Sequence, residues 1–443
     1  MKKFRKLLFF AAITALLTCL LCVALSAETV SGTCGADGDG SNLTWTLDTE
    51  TGVLKIEGDG AMADYSYGHI PWSNYNSGIK TIEIGDGVIS IGDRAFDYCS
   101  SLTGITFGEN SQLTSIGYSA FWYCSELTSI EIPNSVTSIG YGAFDYCSSL
   151  TGITFGENSQ LTSIGDSAFN CCSKLTSIEI PNSVTSIGDC AFSNCSSLTG
   201  ITFGENSQLT SIGYGAFRDC RKLTSIEIPN SVTSIGYDAF DGCSSLTSIN
   251  VDENNEAYKS IDGVLFSKDE KTLIAYPKGK SETTYTIPSS VTSIGDSAFE
   301  YCSKLTSITI PSSMTSIGYG AFAYCSSLTS IEIPSSVTSI GNGAFAYCSS
   351  LTGITFGENS QLTSIGDFAF RDCRKLTSII IPDSVASIGN YAFRVCSKLT
   401  SITIPSSVTS IGYGAFGDCS SLTGITFGEN SQLTSIGDSA FRD

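Results

Sequence analysis

Short apolar and polar stretches alternate along most of the chain, and the same stretches recur at regular intervals. The motif Ile-Gly-x-x-Ala-Phe occurs fourteen times, and its phenylalanines lie 23 or 25 residues apart except for one interval of 59 residues. A chain of 443 residues would by length suggest two to four domains. A fixed period of this size overrides that expectation and predicts stacked structural repeats.

One repeat, residues 127–149, shows how each unit begins. Ile130 and Ile132 alternate with Glu131. This period of two is typical of a β-strand that buries one face, so Glu131 is expected to point outward. A proline, or a Gly-Glu-Asn-Ser stretch in the longer units, then turns the chain.

The second part of each unit predicts a short extended stretch followed by a helical turn. Val136 and Ile139 are the apolar residues of the stretch, and Gly140 ends it. We expect this glycine to occupy a turn with positive φ. In the next unit Asp166 is placed to cap a helical turn, and the apolar residues within 168–175 fall on one helical face.

No single unit can bury these apolar groups alone, so neighbouring units must stack with their strands in parallel. A period of 20–29 residues with Leu and Ile at set offsets is typical of leucine-rich repeats. We therefore predict a leucine-rich-repeat solenoid. One face carries a parallel β-sheet, the other carries short extended and helical or 3₁₀ segments, and a β-rich cap covers the N-terminal end.

Four segments follow from this division. Residues 1–27 have the basic start, apolar run and small residues of a secretory signal peptide. Residues 28–80 form the β-rich cap, and residues 81–443 form about 14 repeats of 23 or 25 residues. The long interval accommodates a β-hairpin insertion near 252–284. The chain stops at Asp443 inside a repeat without a visible cap, so we expect either a fragment or a last repeat that frays.

Charge and composition exclude several classes of function. The chain has 23 Lys and Arg against 43 Asp and Glu; residues 1–27 hold four of the cations, which leaves 19 against 43. The charge therefore predicts that neither nucleic acid nor an anionic membrane surface is a partner. No second apolar run is long enough to span a bilayer, so we expect no membrane insertion after signal cleavage. His69 is the only histidine, which excludes most catalytic and zinc sites that depend on this residue.

The consensus I-x-I-P-x-S-V-T-S-I-G-x-x-A-F-x-x-C-x-x-L closely resembles the BspA-like, or Treponema-type, leucine-rich repeats of bacterial surface proteins. The resemblance covers about residues 81–443, and the insertion DGVLFSKDEKTLIAYPKGK (262–280) is similar to a hairpin often found in that family. The resemblance implies a secreted or surface-displayed bacterial protein that binds host or bacterial macromolecules. It implies no enzymatic activity in the repeats.

Cysteine is the residue that most invites a chemical role. The spacings match no zinc-ligand pair, and two alternatives remain. Either the recurring cysteines form a ladder of buried reduced thiols, or some of them are bridged as secretion would allow. Cys171 and Cys190 lie off this position in adjacent repeats, where a bridge has weak support. Thirteen of the 18 cysteines share one repeat position: 99, 124, 147, 172, 195, 220, 243, 302, 325, 348, 373, 396 and 419.

Carboxylates offer little for catalysis or metal binding. Glu109 and its copies in the Gly-Glu-Asn-Ser turns recur identically, whereas catalysis needs one asymmetric site. The oxygen-rich stretch 251–256 is a weak calcium candidate, because it lacks the spacing of known calcium loops. We predict no catalytic residue, no cofactor and no metal site.

The sequence favours binding at two sets of outward positions. The first is the variable position between the two buried isoleucines of the strand, and the second is an aromatic position after Ile-Gly that alternates with polar residues. We predict a protein or glycan ligand; the alternative is a structural surface array without a specific ligand. The candidate binding face is Glu131, Glu179, Glu227, Thr309, Glu332 and Thr403, and the candidate exposed aromatics are Tyr118, Tyr141, Tyr214, Tyr237, Tyr319 and Tyr413.

Overall fold

The structure is a computed structural model that describes residues 28–442. The predicted signal peptide, residues 1–27, lies outside the described residues. In the described range, no helix combines the length and the apolar character needed to cross a bilayer. The chain forms a solenoid of parallel strands, which confirms the predicted fold class.

The N-terminal region joins the solenoid without a break. Three antiparallel strands come first, β1 (Thr29–Thr33), β2 (Leu43–Asp48) and β3 (Val53–Gly58), and a 3₁₀ helix follows at Ser73–Gly78. Strand β3 already pairs in parallel with the first strand of the repeats. The stacked architecture therefore begins inside the segment 28–80 that the sequence assigned to the cap.

Each repeat contributes one strand to each of two parallel rows. The long-strand row, with most strands of four residues, is β5 (Thr81–Ile84), β7 (Gly104–Phe107), β9 (Ser129–Ile132), β11 (Gly152–Phe155), β13 (Ser177–Ile180), β15 (Gly200–Phe203), β17 (Ser225–Ile228), β19 (Ser248–Val251), β23 (Thr284–Thr286), β25 (Ser307–Thr309), β27 (Ser330–Ile333), β29 (Gly353–Phe356), β31 (Ser378–Ile379), β33 (Ser401–Ile404) and β35 (Gly424–Phe427). The short-strand row, with most strands of two residues, is β4 (Gly60–Ala61), β6 (Val88–Ile91), β8 (Ser115–Ile116), β10 (Ser138–Ile139), β12 (Ser163–Ile164), β14 (Ser186–Ile187), β16 (Ser211–Ile212), β18 (Ser234–Ile235), β22 (Thr272–Ala275), β24 (Ser293–Ile294), β26 (Ser316–Ile317), β28 (Ser339–Ile340), β30 (Ser364–Ile365), β32 (Ser387–Ile388), β34 (Ser410–Ile411) and β36 (Ser435–Ile436).

The two rows differ in continuity. The short-strand row is hydrogen-bonded without a break from β4 to β18 and again from β22 to β36. The long-strand row divides into shorter sheets, such as the pairs β9–β11, β13–β15 and β17–β19. In the first half, each break follows a strand that leads into a Gly-Glu-Asn-Ser loop.

Apolar side chains of successive repeats stack into columns between the rows. The phenylalanines of the repeat motif form one such column, in which Phe144 and Phe169 have ring centroids 5.2 Å apart and planes 4° from parallel. Trp72 extends the column at its start, stacked on Phe96 at 5.3 Å. Each ring buried in this way is worth roughly 1.5–3 kcal/mol.

The recurring glycine of the motif has a different role from the predicted one. Gly140 is absent from the positive-φ positions, so the expectation of a left-handed turn at this residue was wrong. A Cβ atom built on Gly140 would lie 2.8 Å from the carbonyl carbon of Gly117, and one on Gly165 would lie 2.7 Å from that of Gly140. Glycine is required here because neighbouring backbones approach too closely for any side chain.

The predicted helical segment is a pair of consecutive turns. Their i→i+3 bonds include Ala95 N to Gly92 O and Cys99 N to Phe96 O. Arg94 and Tyr98 have φ of 56° and 57°, and these left-handed residues stop the turns from continuing as a helix. The cap expected at Asp166 was wrong for the same reason: its Oδ1 instead accepts the backbone N–H of Asp189 in the next repeat at 2.8 Å.

The insertion divides the solenoid into two halves. It forms an antiparallel meander of β20 (Tyr258–Ile261), β21 (Val264–Ser267) and β22, and β22 then pairs in parallel with β24. The buried apolar residues accordingly form two clusters, one reaching Leu265 from the N-terminal side and the other beginning at Val264.

Candidate functional site

The predicted binding positions of the long-strand row lie in one exposed column. In strand β9 the outward Glu131 is exposed, whereas Ile130 and Ile132 on either side are buried. The parallel register aligns Glu131 with Thr154 of the next repeat. We call this line of residues the outward column; its other predicted members, Glu179, Glu227, Thr309, Glu332 and Thr403, are exposed as well.

The outward column changes character along the solenoid. In the first half, acidic residues alternate with threonine or asparagine, as in the aligned pairs Glu179–Thr202 and Glu227–Asn250. In the second half it consists mainly of threonines, with one acid at Glu332. Ile380, 83% exposed, lies in the same position and forms a parallel bridge with Thr403. A ligand spanning the column would therefore meet an anionic part and a nearly neutral part.

The predicted aromatic positions are all exposed, but they are not equivalent. Tyr118 stacks on Tyr141 at 5.3 Å, and its hydroxyl accepts a hydrogen bond from Arg94 at 3.0 Å. Tyr237 and Tyr319 are 70% and 62% exposed and stack on no other ring within residues 28–442. The remaining members, Tyr214 and Tyr413, are exposed to an intermediate degree. Tyr237 and Tyr319 thus offer the most open ring surface.

A second tyrosine position, just before the recurring cysteine, forms ring stacks that were not predicted from the sequence. Tyr301, Tyr324 and Tyr347 stack at 4.4 and 4.5 Å with nearly parallel planes. Stacked rings cover one another's faces, so these side chains present edges and hydroxyls rather than the open faces that sugars prefer. The signal was present, because tyrosine recurs at one offset in three consecutive repeats.

The recurring cysteines lie in the core. Each thiol from Cys124 onward packs against the preceding repeat; Cys172 Sγ, for example, donates to the carbonyl oxygen of Phe144 at 3.3 Å. Burial raises the pKa of Cys348 to about 12, which disfavours the reactive thiolate. The described cysteines other than Cys419, including the half-buried Cys171 and Cys190, are free thiols in the structure. Their redox state in the native protein stays a prediction, which thiol counting on protein unfolded without reductant would check.

The acidic and amide groups of the calcium candidate hold a loop together. Asp252 Oδ1 accepts the backbone N–H of Asn254 at 2.8 Å. Asn255 is fully buried, and its amide donates to the carbonyl oxygens of Pro229 and Val232 at 2.8 and 2.9 Å. Among residues 28–442, no group of three or more His, Cys, Asp or Glu is arranged to hold a metal ion.

Comparison with known proteins agrees with this geometry. The family model of the BspA-type leucine-rich repeat region matches residues 73–198, 162–282, 274–396 and 358–443. The chain belongs to the BspA-type leucine-rich repeat family. Family and fold are those of repeat proteins that are typically non-enzymatic. No curated protein matches the chain.

Several solved structures share the fold over nearly the whole chain. A leucine-rich cell surface protein from Faecalibacterium prausnitzii is 32% identical, with a TM-score of 0.54, 90% of this chain covered and 96% of that chain. A leucine-rich repeat protein from Eubacterium ventriosum is 28% identical, with a TM-score of 0.55 and coverages of 89% and 96%. The pneumococcal vaccine antigen PcpA is 25% identical, with a TM-score of 0.58 and coverages of 91% and 90%.

Proposed function

We propose that the protein is a secreted, cell-surface repeat protein that binds protein or glycan ligands and catalyses no reaction. Family membership supports an interaction role, and the related proteins described as a cell surface protein and as a vaccine antigen support surface display. The outward column is the surface we assign to binding. Rigid repeats lose little conformational freedom on association, so weak contacts along such a column add up.

The observation that carries the proposal is the contrast within each long strand. Ile130 is fixed in a buried column in the same way as its counterparts in other repeats, while the adjacent outward position varies among Glu, Thr, Asn and Ile. Side chains on this column do not contribute to the core. They are therefore free to determine which ligand binds.

The proposal is tested by screening the chain from residue 28 onward against glycan and protein arrays, followed by a charge substitution. In the triple variant Glu131→Gln, Glu179→Gln and Glu227→Gln we expect weaker binding of any ligand that the array identifies. The matched control Glu109→Gln, Glu157→Gln and Glu205→Gln removes the same charge from exposed loop positions. Equal loss of binding in both variants would mean that the effect comes from the net charge alone. No binding on either array would favour the alternative, a surface array without a specific ligand.

A further inference from the structure

A cleft of about 780 Å³ lies where the two halves of the solenoid meet. Strand β18 ends the first part of the short-strand row there, and β22 begins the second. The phenylalanine column is interrupted at the same place. Phe240 stacks on Phe217 and Tyr276 stacks on Phe299, but Phe240 and Tyr276, both lining the cleft, do not stack on each other.

A difference in sequence length explains the cleft. The other repeats read Ile-Gly-x-x-Ala-Phe, whereas the insertion reads Leu273-Ile-Ala-Tyr276. Tyr276 occupies the phenylalanine position, because its N–H donates to Ala298 as Phe299 donates to Ala321. The insertion thus reaches the aromatic position with two residues fewer. Of the two missing residues, the first is the one whose carbonyl oxygen pairs with the preceding repeat elsewhere.

A row of backbone donors at this junction lacks acceptors. In the preceding repeat, the N–H groups of Gly215, Phe217 and Asp219 donate to carbonyl oxygens of the next repeat at 2.9, 2.9 and 2.7 Å. The equivalent N–H groups belong to Asp238, Phe240 and Gly242. They have no acceptor within residues 28–442, whereas every other repeat with a complete repeat after it pairs all three.

These three donors are spaced two residues apart along the consecutive turns, and the N–H groups of Ala239 and Asp241 between them bond inside those turns. An extended peptide directs every second carbonyl oxygen to one side, so its main chain supplies acceptors for donors spaced in this way. The hydroxyl of the buried Tyr276 also has no hydrogen-bond partner among the described residues. Unpaired buried polar groups cost free energy, which a bound peptide main chain would recover.

The charges around the cleft favour a basic peptide. Its lining includes Asp238, Asp241 and Asp296 against one cation, Lys278. Lys278 forms an ion pair with Asp241, which Arg218 also approaches at 3.5 Å. Asp238 and Asp296 have no ion-pair partner in the described part of the chain.

We propose that the junction cleft binds an extended peptide segment of a partner protein, with an aromatic side chain inserted between Phe240 and Tyr276 and a basic side chain beside Asp238 and Asp296. This site is separate from the outward column, so it goes beyond the proposed function and can fail or succeed independently of it.

The first measurement needs no ligand. In hydrogen–deuterium exchange of the chain from residue 28 onward, the segment 237–243 exchanges faster than the equivalent segment 214–220, because its amides lack acceptors. Equal exchange of both segments would show that the three N–H groups have acceptors, and it would overturn the proposal.

The second measurement uses the fluorescein-labelled heptapeptide Thr-Lys-Thr-Phe-Thr-Lys-Thr-amide and fluorescence anisotropy. We expect saturable binding and slower exchange of segment 237–243. Replacing the peptide's Phe by Ala weakens binding roughly 10- to 100-fold, the value of burying one ring. The variant Ala275→Phe fills the cleft and abolishes binding. Absence of saturable binding up to millimolar peptide, or equal binding by both peptides, contradicts the proposal.

A matched pair of variants tests the charge. Asp296 and Asp166 each accept a backbone N–H from the next repeat, at 2.7 and 2.8 Å, but only Asp296 lines the cleft. Asp296→Asn should weaken peptide binding up to about fivefold, and Asp166→Asn should leave it unchanged. The triple glutamine variant of the outward column should also leave it unchanged. Self-association that Ala275→Phe abolishes would instead identify a second copy of the chain as the occupant and overturn the proposal.

Discussion

The short-strand row and the long-strand row are built from the same repeats, yet they are constrained differently. In the short-strand row, backbones stack so closely that Gly165 has no room for a methyl group, and the ladder is continuous within each half. In the long-strand row, Gly152 has open space around its Cβ position, and the ladder is interrupted several times. The outward column belongs to this looser row.

This difference teaches where a repeat protein can change its surface. Side chains that touch the neighbouring backbone are fixed by packing, because protein interiors tolerate little added volume. Side chains that point away from the looser row are free to vary from repeat to repeat. The tightly packed short-strand row therefore supports a long-strand row whose outward side chains can vary. Paired substitutions at packed and exposed positions measure how far this difference extends.

The largest effect is expected at the glycine column. Gly165→Ala places a methyl group 2.7 Å from the backbone of Gly140 and should destabilise the protein by about 3 kcal/mol, because two backbones must separate. Gly152→Ala meets no atom within 4 Å and should stabilise by about 0.5 kcal/mol through the unfolded chain. Urea denaturation of both variants, followed by circular dichroism, measures the two shifts. Similar destabilisation in both would show that the rows are equally tight.

A smaller loss is expected at the cysteine column. Cys172→Ser puts a more polar hydroxyl into a fully buried site and should cost about 2 kcal/mol. The neighbouring Cys171 is half-buried, and Cys171→Ser should change stability by less than about 0.5 kcal/mol. Urea denaturation under reducing conditions compares the two variants. Equal tolerance of both would argue against a packed cysteine column.

The sequence predicts the fold well where one physical cause explains each recurring residue. Alternating Ile130, Glu131 and Ile132 have the expected burial, and the phenylalanine and cysteine columns lie in the core. Gly140 shows the limit, because positive φ and close backbone contact both require glycine and a sequence does not distinguish them. The left-handed position of Arg94 escapes prediction since its counterparts include Ser, Cys and Tyr.

Only those parts of the candidate site that depend on the pattern within one repeat could be predicted from the sequence. The outward positions follow from strand alternation, so their exposure is confirmed. The stacking of Tyr324 on Tyr347 and the junction cleft depend on how neighbouring repeats meet, which a single repeat does not contain. Only the shortened motif ending at Tyr276 marks the cleft in the sequence.

Asp145 is half-buried, and replacing it should change the free energy of unfolding by an intermediate amount. Burial raises the pKa of its carboxyl from 3.8 to about 6, although a hydrogen bond from Asn170 opposes the shift. A raised carboxyl pKa means that the fold favours the protonated form. The contribution of this carboxyl to the free energy of unfolding is thus fully present below about pH 4, and it is lost as the pH rises through about 6.

We therefore expect Asp145→Asn to stabilise the protein at pH 7 by about 1 kcal/mol and to have little effect at pH 4. Urea denaturation at both pH values measures this difference. The control Asp383→Asn, at an exposed aspartate, should show no such pH dependence. A stabilisation of Asp145→Asn that is the same at both pH values would contradict the assigned role of burial.

The smallest effect is expected in the outward column itself. Ile380 is 83% exposed among threonines, so Ile380→Thr should change the free energy of unfolding by less than about 0.5 kcal/mol. The adjacent Ile379 is buried, and Ile379→Thr should cost well over 1 kcal/mol because it removes apolar contact and buries a hydroxyl. Urea denaturation of this pair compares one substitution at two consecutive residues. A large loss from Ile380→Thr would mean that the outward column contributes to stability, and its side chains would then not be free to vary with the ligand.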